Sequence, residues 1–115
     1  MTGVDNVPLA IEQARERTRD KAKRLSFLLA SMDSLELPAA SFDVILAIDS
    51  LYFTNLVRTL RGLLPLCKPG GVMACLYSQG ADPEHPLEVF DRGTLPPDKT
   101  PLGAALVELG VSFCT

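Results

Sequence analysis

With 115 residues and a formal net charge of -3, the chain is long enough for one small domain and too acidic for a general nucleic-acid binder. Hydrophobic residues make up 47% and charged residues 22% of the sequence, which is typical of a soluble globular protein. The three cysteines include no C-x-x-C pair, and no apolar run approaches the roughly 20 residues of a membrane span, so we expect a cytoplasmic protein with no zinc, disulfide or membrane contact.

The N-terminal part predicts a short strand and a helix. Gly3-Val4-Asp5 is typical of a strand end, and Pro8 suits the first turn of a helix over Pro8 to Arg24. Asn6 or Val7 would have to cap this helix. Two ion pairs are predicted along it, Glu16 with Arg19 and Asp20 with Arg24. Because acids interleave with the bases, we interpret the segment as a solvated helix face, with a nucleic-acid patch as the alternative.

The middle of the chain predicts two further strands. Leu25 to Ala30 is the first, and the polar break Ser31 to Ser34 follows it. Val44 to Ile48 is a continuous apolar run with three β-branched residues, typical of a parallel strand that is buried on both faces.

Asp49, Ser50 and Tyr52 follow directly on this central strand and are the first candidates for a functional site. In open parallel sheets, ligands bind beyond the carboxyl ends of the strands. The alternative is purely structural, since an Asp-Ser pair after a strand often caps the next helix.

The second half predicts a helix, a strand, a loop, a helix and a strand. Thr54 or Asn55 can cap a helix that runs to Cys67, and the turn Lys68-Pro69-Gly70-Gly71 ends it before a strand over Val72 to Tyr77. Five of the nine prolines fall between residues 79 and 101, which is typical of a lid, a binding loop or a disordered linker; we expect this segment to be the most mobile one and to cover the substrate side. Thr100 then caps a helix ended by Gly110, and residues 111–114 begin a last strand. Alternating strands and helices indicate an α/β fold with a mostly parallel sheet.

The chemistry that the sequence offers consists of acids at strand ends, namely Asp5, Asp33 and Asp49. A carboxylate there can accept two hydrogen bonds at once, as a ribose requires. The sequence has no Ser/His/Asp motif, no paired-histidine metal motif and no Walker-type phosphate loop.

The order of four segments resembles the class I S-adenosylmethionine-dependent methyltransferases. The segments are Gly3-Val4-Asp5 with Ala10-Ile11 and Ala14, Met32 to Pro38 (MDSLELP), Ser41 to Ile45 (SFDVI) and Cys67 to Gly71 (CKPGG). They are similar to the family's second strand and its helix, its Asp-containing loop, its Phe-Asp-led fourth strand and its Lys-Pro-Gly-Gly turn. Val7 departs from the family, which usually has Ser before the helix proline.

The resemblance implies a three-layer, Rossmann-like fold and S-adenosylmethionine as cofactor. It implies cofactor contacts at Asp5, Asn6, Asp33, Ser34 and Asp49: Asp5 would hold the ribose, Asp33 the adenine amino group and the Ser34 N–H an adenine ring nitrogen. Asp49, with Ser50 and Tyr52, would face the methyl donor and a small-molecule substrate.

The sequence also departs from the family at both ends. The family's first strand with its glycine-rich loop, and its seventh strand, have no counterpart, so we expect a partial domain. Within it we divide residues 1–78 as a cofactor-binding core, 79–101 as the Pro-rich loop and 102–115 as the last helix and strand. The alternative to methyl transfer is a non-catalytic remnant that acts only with a partner. Where the first strand would lie, unpaired edges would favour self-association, unless the strands at Val4 and Val44 pair directly in one sheet.

Overall fold

The computed structural model describes residues 1–77 and 97–114, and these ranges contain four strands and three α-helices. They are β1 (Thr2–Asp5), α1 (Pro8–Arg17), β2 (Ser26–Leu29), β3 (Phe42–Ile48), α2 (Leu56–Leu63), β4 (Cys67–Leu76) and α3 (Pro101–Glu108). The predicted α/β class is confirmed. Most of the predicted Pro-rich loop lies outside the described residues, so its expected mobility and its place over the substrate side stay predictions.

The strands form two parallel ladders rather than the predicted single sheet. β1 pairs with β2, with Val4 opposite Leu28, and β3 pairs with β4, with Val44 opposite Val72. Each ladder consists of two strands joined by one helical crossover, and no described strand bridges β1 and β3. Parallel pairing is therefore confirmed and the expected single sheet is wrong. Direct pairing of the Val4 and Val44 strands, one of the alternatives, does not occur.

One face of the β3–β4 ladder is open, and this corrects the prediction that the central strand is buried on both faces. The exposed fractions are 56% for Val44, 64% for Leu46, 58% for Ile48, 58% for Val72 and 57% for Leu76. Val44 lies opposite Val72, and Ile48 opposite Leu76, so these side chains share one surface, here called the open face. Within the described residues, no element covers it as the third layer of the predicted sandwich would.

The opposite face of β3 is covered. Ala47 is only 5% exposed there, whereas both of its neighbours in the strand are more than half exposed. Helices α2 and α3 supply most of the buried side chains outside the strands. The core residues of the second half are Ala47, Leu51, Leu60, Leu63, Leu66 and Ala105. The core thus lies on one side of the β3–β4 ladder only.

Helix α1 is shorter than predicted. It ends at Arg17, and a 3₁₀ turn over Arg19–Lys21 replaces the expected last helical turns. Thr18 explains the end, because its hydroxyl donates to the carbonyl of Ala14 at 2.7 Å and its backbone has left the helical region. The predicted pair of Glu16 with Arg19 is present. The predicted pair of Asp20 with Arg24 does not form in the described chain, because it needed the helix to continue.

The Lys-Pro-Gly-Gly turn lies inside β4 as an irregular bulge. Gly70 has a φ of +79°, which favours glycine. A Cβ on Gly71 would lie 3.0 Å from the carbonyl oxygen of Asp43, so this position must stay glycine for β3 and β4 to approach.

Lys68 Nζ contacts both carboxylate oxygens of Asp43 at 2.9 Å. Hydrogen bonding and charge from Lys68 lower the pKa of Asp43 below its ordinary value.

Helices α2 and α3 begin as predicted. The Asn55 side chain accepts from the Arg58 N–H at 3.0 Å, and the Thr100 hydroxyl accepts from the Gly103 N–H at 3.0 Å. α2 ends at Leu63, before the predicted end at Cys67, and the 3₁₀ turn Leu64–Leu66 follows. The expected last strand is wrong, because residues 111–114 pair with no described strand.

Candidate functional site

The predicted acids all lie at the carboxyl ends of parallel strands. Asp5 is the last residue of β1, Asp33 lies in the 3₁₀ turn Met32–Ser34 that follows β2, and Asp49 directly follows β3. In a parallel ladder this is the end at which ligands bind. The three acids thus lie at the strand ends where the sequence predicted them, and their role as a site stays a prediction.

Asp5 supports the start of α1 with one of its two carboxylate oxygens. Its Oδ1 accepts a hydrogen bond from the Val7 N–H at 2.8 Å. Val7 occupies the N-cap position, where its apolar side chain makes no capping bond, and Asn6 lies in the exposed turn before it. The exposed carboxylate of Asp5 thus accepts a hydrogen bond at the start of the helix, where neither Asn6 nor Val7 provides a side-chain cap. The other oxygen of Asp5, Oδ2, makes no hydrogen bond within the described residues.

Asp33 is held by a residue that sequence reasoning missed. The hydroxyl of Thr59, on α2, donates to Asp33 Oδ1, and Thr59 is completely buried. The Ser31 hydroxyl also accepts from the Asp33 N–H at 3.3 Å. The available signal was a threonine on the leucine-rich face of an amphipathic helix, because a buried hydroxyl needs a polar partner. Asp33 itself is half-buried, and its Oδ2 has no hydrogen bond in the described ranges.

Ser34 is exposed, but its backbone N–H already has an acceptor. It donates to the Ser31 carbonyl at 3.2 Å, which closes the 3₁₀ turn. The predicted contact from this N–H to an adenine nitrogen would therefore require this long bond to be shared or released.

Asp49 is fixed in an unusual backbone conformation. Its φ is +46°, in the left-handed region that asparagine and aspartate tolerate better than most residues, and its N–H donates to the Leu76 carbonyl at 3.1 Å. The Tyr52 hydroxyl donates to Asp49 Oδ1 at 2.8 Å. Ser50 occupies the N-cap position of the 3₁₀ turn Leu51–Phe53 but its side chain makes no capping bond. The capping alternative for this pair is not what the structure shows.

Tyr52, which bonds Asp49, lies beside two further aromatic rings that sequence reasoning missed. The Tyr52 ring lies 4.6 Å from the Tyr77 ring, between centroids, and 6.4 Å edge-on from the Phe53 ring. Leu51, only 1% exposed, anchors the turn that carries Tyr52 and Phe53. The signal for Tyr77 was its place directly after an apolar strand, equivalent to that of Asp49 after β3.

Other features of the described residues offer no rival site. A shallow cleft of about 470 Å³ lies along α1, between residues such as Ile11, Arg15 and Leu29, and none of the predicted site residues lines it. Within the described ranges, no three metal-ligating side chains come together, and no helix is both long and apolar enough to cross a membrane.

Comparison with known proteins decides the family. A sequence model of the family described as "Methyltransferase domain" matches residues 1–75, which is more than half of the chain. The chain belongs to the methyltransferase domain family. The resemblance to class I S-adenosylmethionine-dependent methyltransferases is thereby confirmed. Comparison with curated proteins finds no match.

Several solved structures share the fold of the chain. The [4+2]-cyclase SpnF is 27% identical with a TM-score of 0.60, over 64% of this chain and 28% of that protein. An S-adenosylmethionine-dependent methyltransferase from Mesorhizobium loti is 27% identical with a TM-score of 0.58, over 64% of this chain and 34% of that one. For a putative sarcosine dimethylglycine methyltransferase from Galdieria sulphuraria, at 18% identity and a TM-score of 0.62, the likeness shows the fold alone.

The methyltransferase domain described here matches only part of these proteins. It spans 28% of the SpnF chain, and 64% of its own residues take part in that match. The Rossmann-like α/β architecture is common to all of them. The shared fold does not by itself carry the activities of these longer proteins over to this chain.

Proposed function

We propose that this methyltransferase domain binds S-adenosylmethionine and takes part in methyl transfer to a small molecule. The observation that carries the proposal is the position of Asp5, Asp33 and Asp49 at the carboxyl ends of β1, β2 and β3, each of which belongs to a parallel ladder. The family match over residues 1–75 includes all three acids.

The acids at the strand ends offer hydrogen-bond acceptors that match the hydroxyl and amino groups of the cofactor. Asp5 and Asp33 each have one carboxylate oxygen bonded to the protein and one without a hydrogen bond in the described residues. Asp5, beside Asn6, would accept from the ribose hydroxyls, and Asp33 would accept from the adenine amino group. When bound, S-adenosylmethionine supplies the electrophilic methyl group.

The chain's own part in methyl transfer is to orient and to exclude water. In-line displacement at a methyl group needs correct placement of two reactants more than it needs a fixed catalytic triad. Asp49, Ser50 and Tyr52 would form the side of the site that faces the methyl donor and the acceptor. The three free cysteines, Cys67, Cys75 and Cys114, support a place in a reducing cytoplasm.

Calorimetric titration of the chain with S-adenosylmethionine tests this function. Asp5→Ala and Asp33→Ala should each weaken binding by about 0.5–3 kcal/mol, because each removes a charged hydrogen-bond acceptor. Asp20→Ala is the matched control, since Asp20 is an acid in the exposed 3₁₀ turn after α1, away from the strand ends. If both variants bind as tightly as the parent, these two acids do not hold the cofactor.

The open face favours a second candidate, a non-catalytic module that acts with a partner chain. Five large apolar side chains on two adjacent strands are each more than half exposed, and such patches are typical of association surfaces. We propose that this partner is a second copy of the chain. Absence of S-adenosylmethionine binding in a folded, self-associated chain would favour this candidate over methyl transfer.

A further inference from the structure

The carboxyl ends of β3 and β4 bring a carboxylate and three aromatic rings together. Asp49 follows β3, Tyr77 follows β4, and the turn Leu51–Phe53 adds Tyr52 and Phe53. The Asp49 N–H bonds the last residue of β4, so the acid and Tyr77 are held across one pair of hydrogen-bonded strands. This group is here called the aromatic–acid cluster.

The charge of Asp49 is not neutralised by any basic side chain in the described part of the chain. The ion pairs there join Glu16 to Arg19, Asp43 to Lys68 and Asp98 to Lys99. Tyr52 occupies Oδ1 of Asp49, which leaves Oδ2 of an exposed carboxylate without a partner among these residues.

The aromatic rings beside this acid are accessible to a ligand. Phe53 is 91% exposed and Tyr52 is 37% exposed, although both are large apolar rings. The Tyr52–Asp49 hydrogen bond accounts for the fixed position of the turn, but it does not explain why the Phe53 ring is exposed or why Asp49 Oδ2 has no partner among the described residues. Ring faces attract cations, and a carboxylate adds a full opposite charge.

We propose that the aromatic–acid cluster binds a cationic alkylammonium group carried by the methyl acceptor. The ammonium would lie against the rings, near Asp49 Oδ2, so the acceptor class is a small amine or an ammonium-bearing molecule. The assignment of the bound molecule as the methyl acceptor rests on the proposed function. The binding of a cationic group at the cluster stands independently of it.

Two probes of equal shape separate charge from size. Choline and 3,3-dimethyl-1-butanol differ in having a quaternary nitrogen or a quaternary carbon, and both can be titrated into the isotope-labelled chain by NMR. We expect choline to shift the amide signals of Asp49, Tyr52, Phe53 and Tyr77 and to bind about fivefold more tightly than the alcohol. Equal binding of the two probes, or shifts located elsewhere, overturns the proposal.

Asp49→Asn is the decisive variant because it removes the charge and nearly keeps the shape of the side chain. Asparagine also tolerates a positive φ and can still accept from the Tyr52 hydroxyl, so the turn should remain folded. The preference for choline should disappear in Asp49→Asn and fall about threefold in Tyr77→Leu, while Tyr77→Phe and Asp20→Asn should keep it. A preference that survives Asp49→Asn overturns the role of this acid.

The cationic group could also be the sulfonium of the cofactor, and a competition experiment distinguishes the two sources. Choline binding should persist in the presence of S-adenosylmethionine if the cluster serves the acceptor. Displacement of choline by S-adenosylmethionine but not by S-adenosylhomocysteine would assign the cluster to the sulfonium and overturn the acceptor assignment. Absence of cofactor binding with choline binding intact would count against the proposed function alone.

Discussion

The buried hydroxyl of Thr59 donates a hydrogen bond to Oδ1 of Asp33 and so links α2 to the turn after β2. Asp33 belongs to the first half of the chain, and Thr59 lies 26 residues further on. The bond fixes one carboxylate oxygen and leaves the other without a hydrogen bond in the described residues. Thr59 is thus a positioning residue for a proposed cofactor contact that it does not itself make.

Thr59→Val should weaken the binding of S-adenosylmethionine by about tenfold, because it leaves Asp33 less well oriented and one carboxylate oxygen without its partner. Thr59→Ser keeps the hydroxyl and should restore most of the affinity. Calorimetric titration measures both, with thermal unfolding as a check that each variant is folded. Equal affinity in the valine and serine variants would show that the bond serves stability alone.

Leu46→Lys should reduce self-association. Leu46 is the most exposed of the five apolar side chains of the open face. The Asp49 N–H points toward β4, and successive residues of a strand point their backbone groups to opposite sides. The N–H and C=O of Leu46, three residues earlier, therefore point toward the free edge of β3. A lysine on an edge strand discourages pairing with another chain.

Sedimentation velocity and light scattering of the parent and of Leu46→Lys measure this effect. Leu9→Lys is the matched control, because Leu9 is 59% exposed on α1, outside the open face. A parent chain that stays monomeric at high concentration, with a cooperative melt, would show that the open face does not recruit a second copy.

The ion pair between Lys68 and Asp43 should make stability pH-dependent in the acid range. Because Lys68 lowers the pKa of Asp43 in the folded state, the pair contributes fully above the ordinary aspartate pKa. This contribution is lost as the pH falls through the lower pKa of the folded state. Thermal unfolding of the parent and of Lys68→Met should differ slightly near neutral pH and converge in acid; a gap that widens in acid would contradict this sign.

Cys75 should react more slowly with alkylating reagents than Cys114. Burial raises the pKa of the Cys75 thiol, so less of the reactive thiolate is present at a given pH, while Cys114 is exposed. Timed alkylation at mildly alkaline pH with mass spectrometry of the peptides gives both rates. Faster labelling of Cys75 would show that β4 opens more readily than its half-buried position indicates.

Most of the elements could be predicted from the sequence because they depend on local patterns. The caps at Asn55 and Thr100 and the apolar run of β3 are local signals, and the structure has them where they were expected. The end of α1 was missed because the Thr18 hydroxyl bonds back into the helix, a competition that spacing of apolar residues does not reveal.

The sequence alone determined the family and the acids at the strand ends, because both depend on residues in a fixed order along the chain. Tertiary structure decided what those acids contact: Thr59 reaches Asp33 and Tyr77 stacks on Tyr52 only through folding of distant segments. It also decided that the strands form two ladders with an open face. The sequence of an apolar strand does not reveal whether helices cover both of its faces, because burial depends on which other elements are present to pack against it.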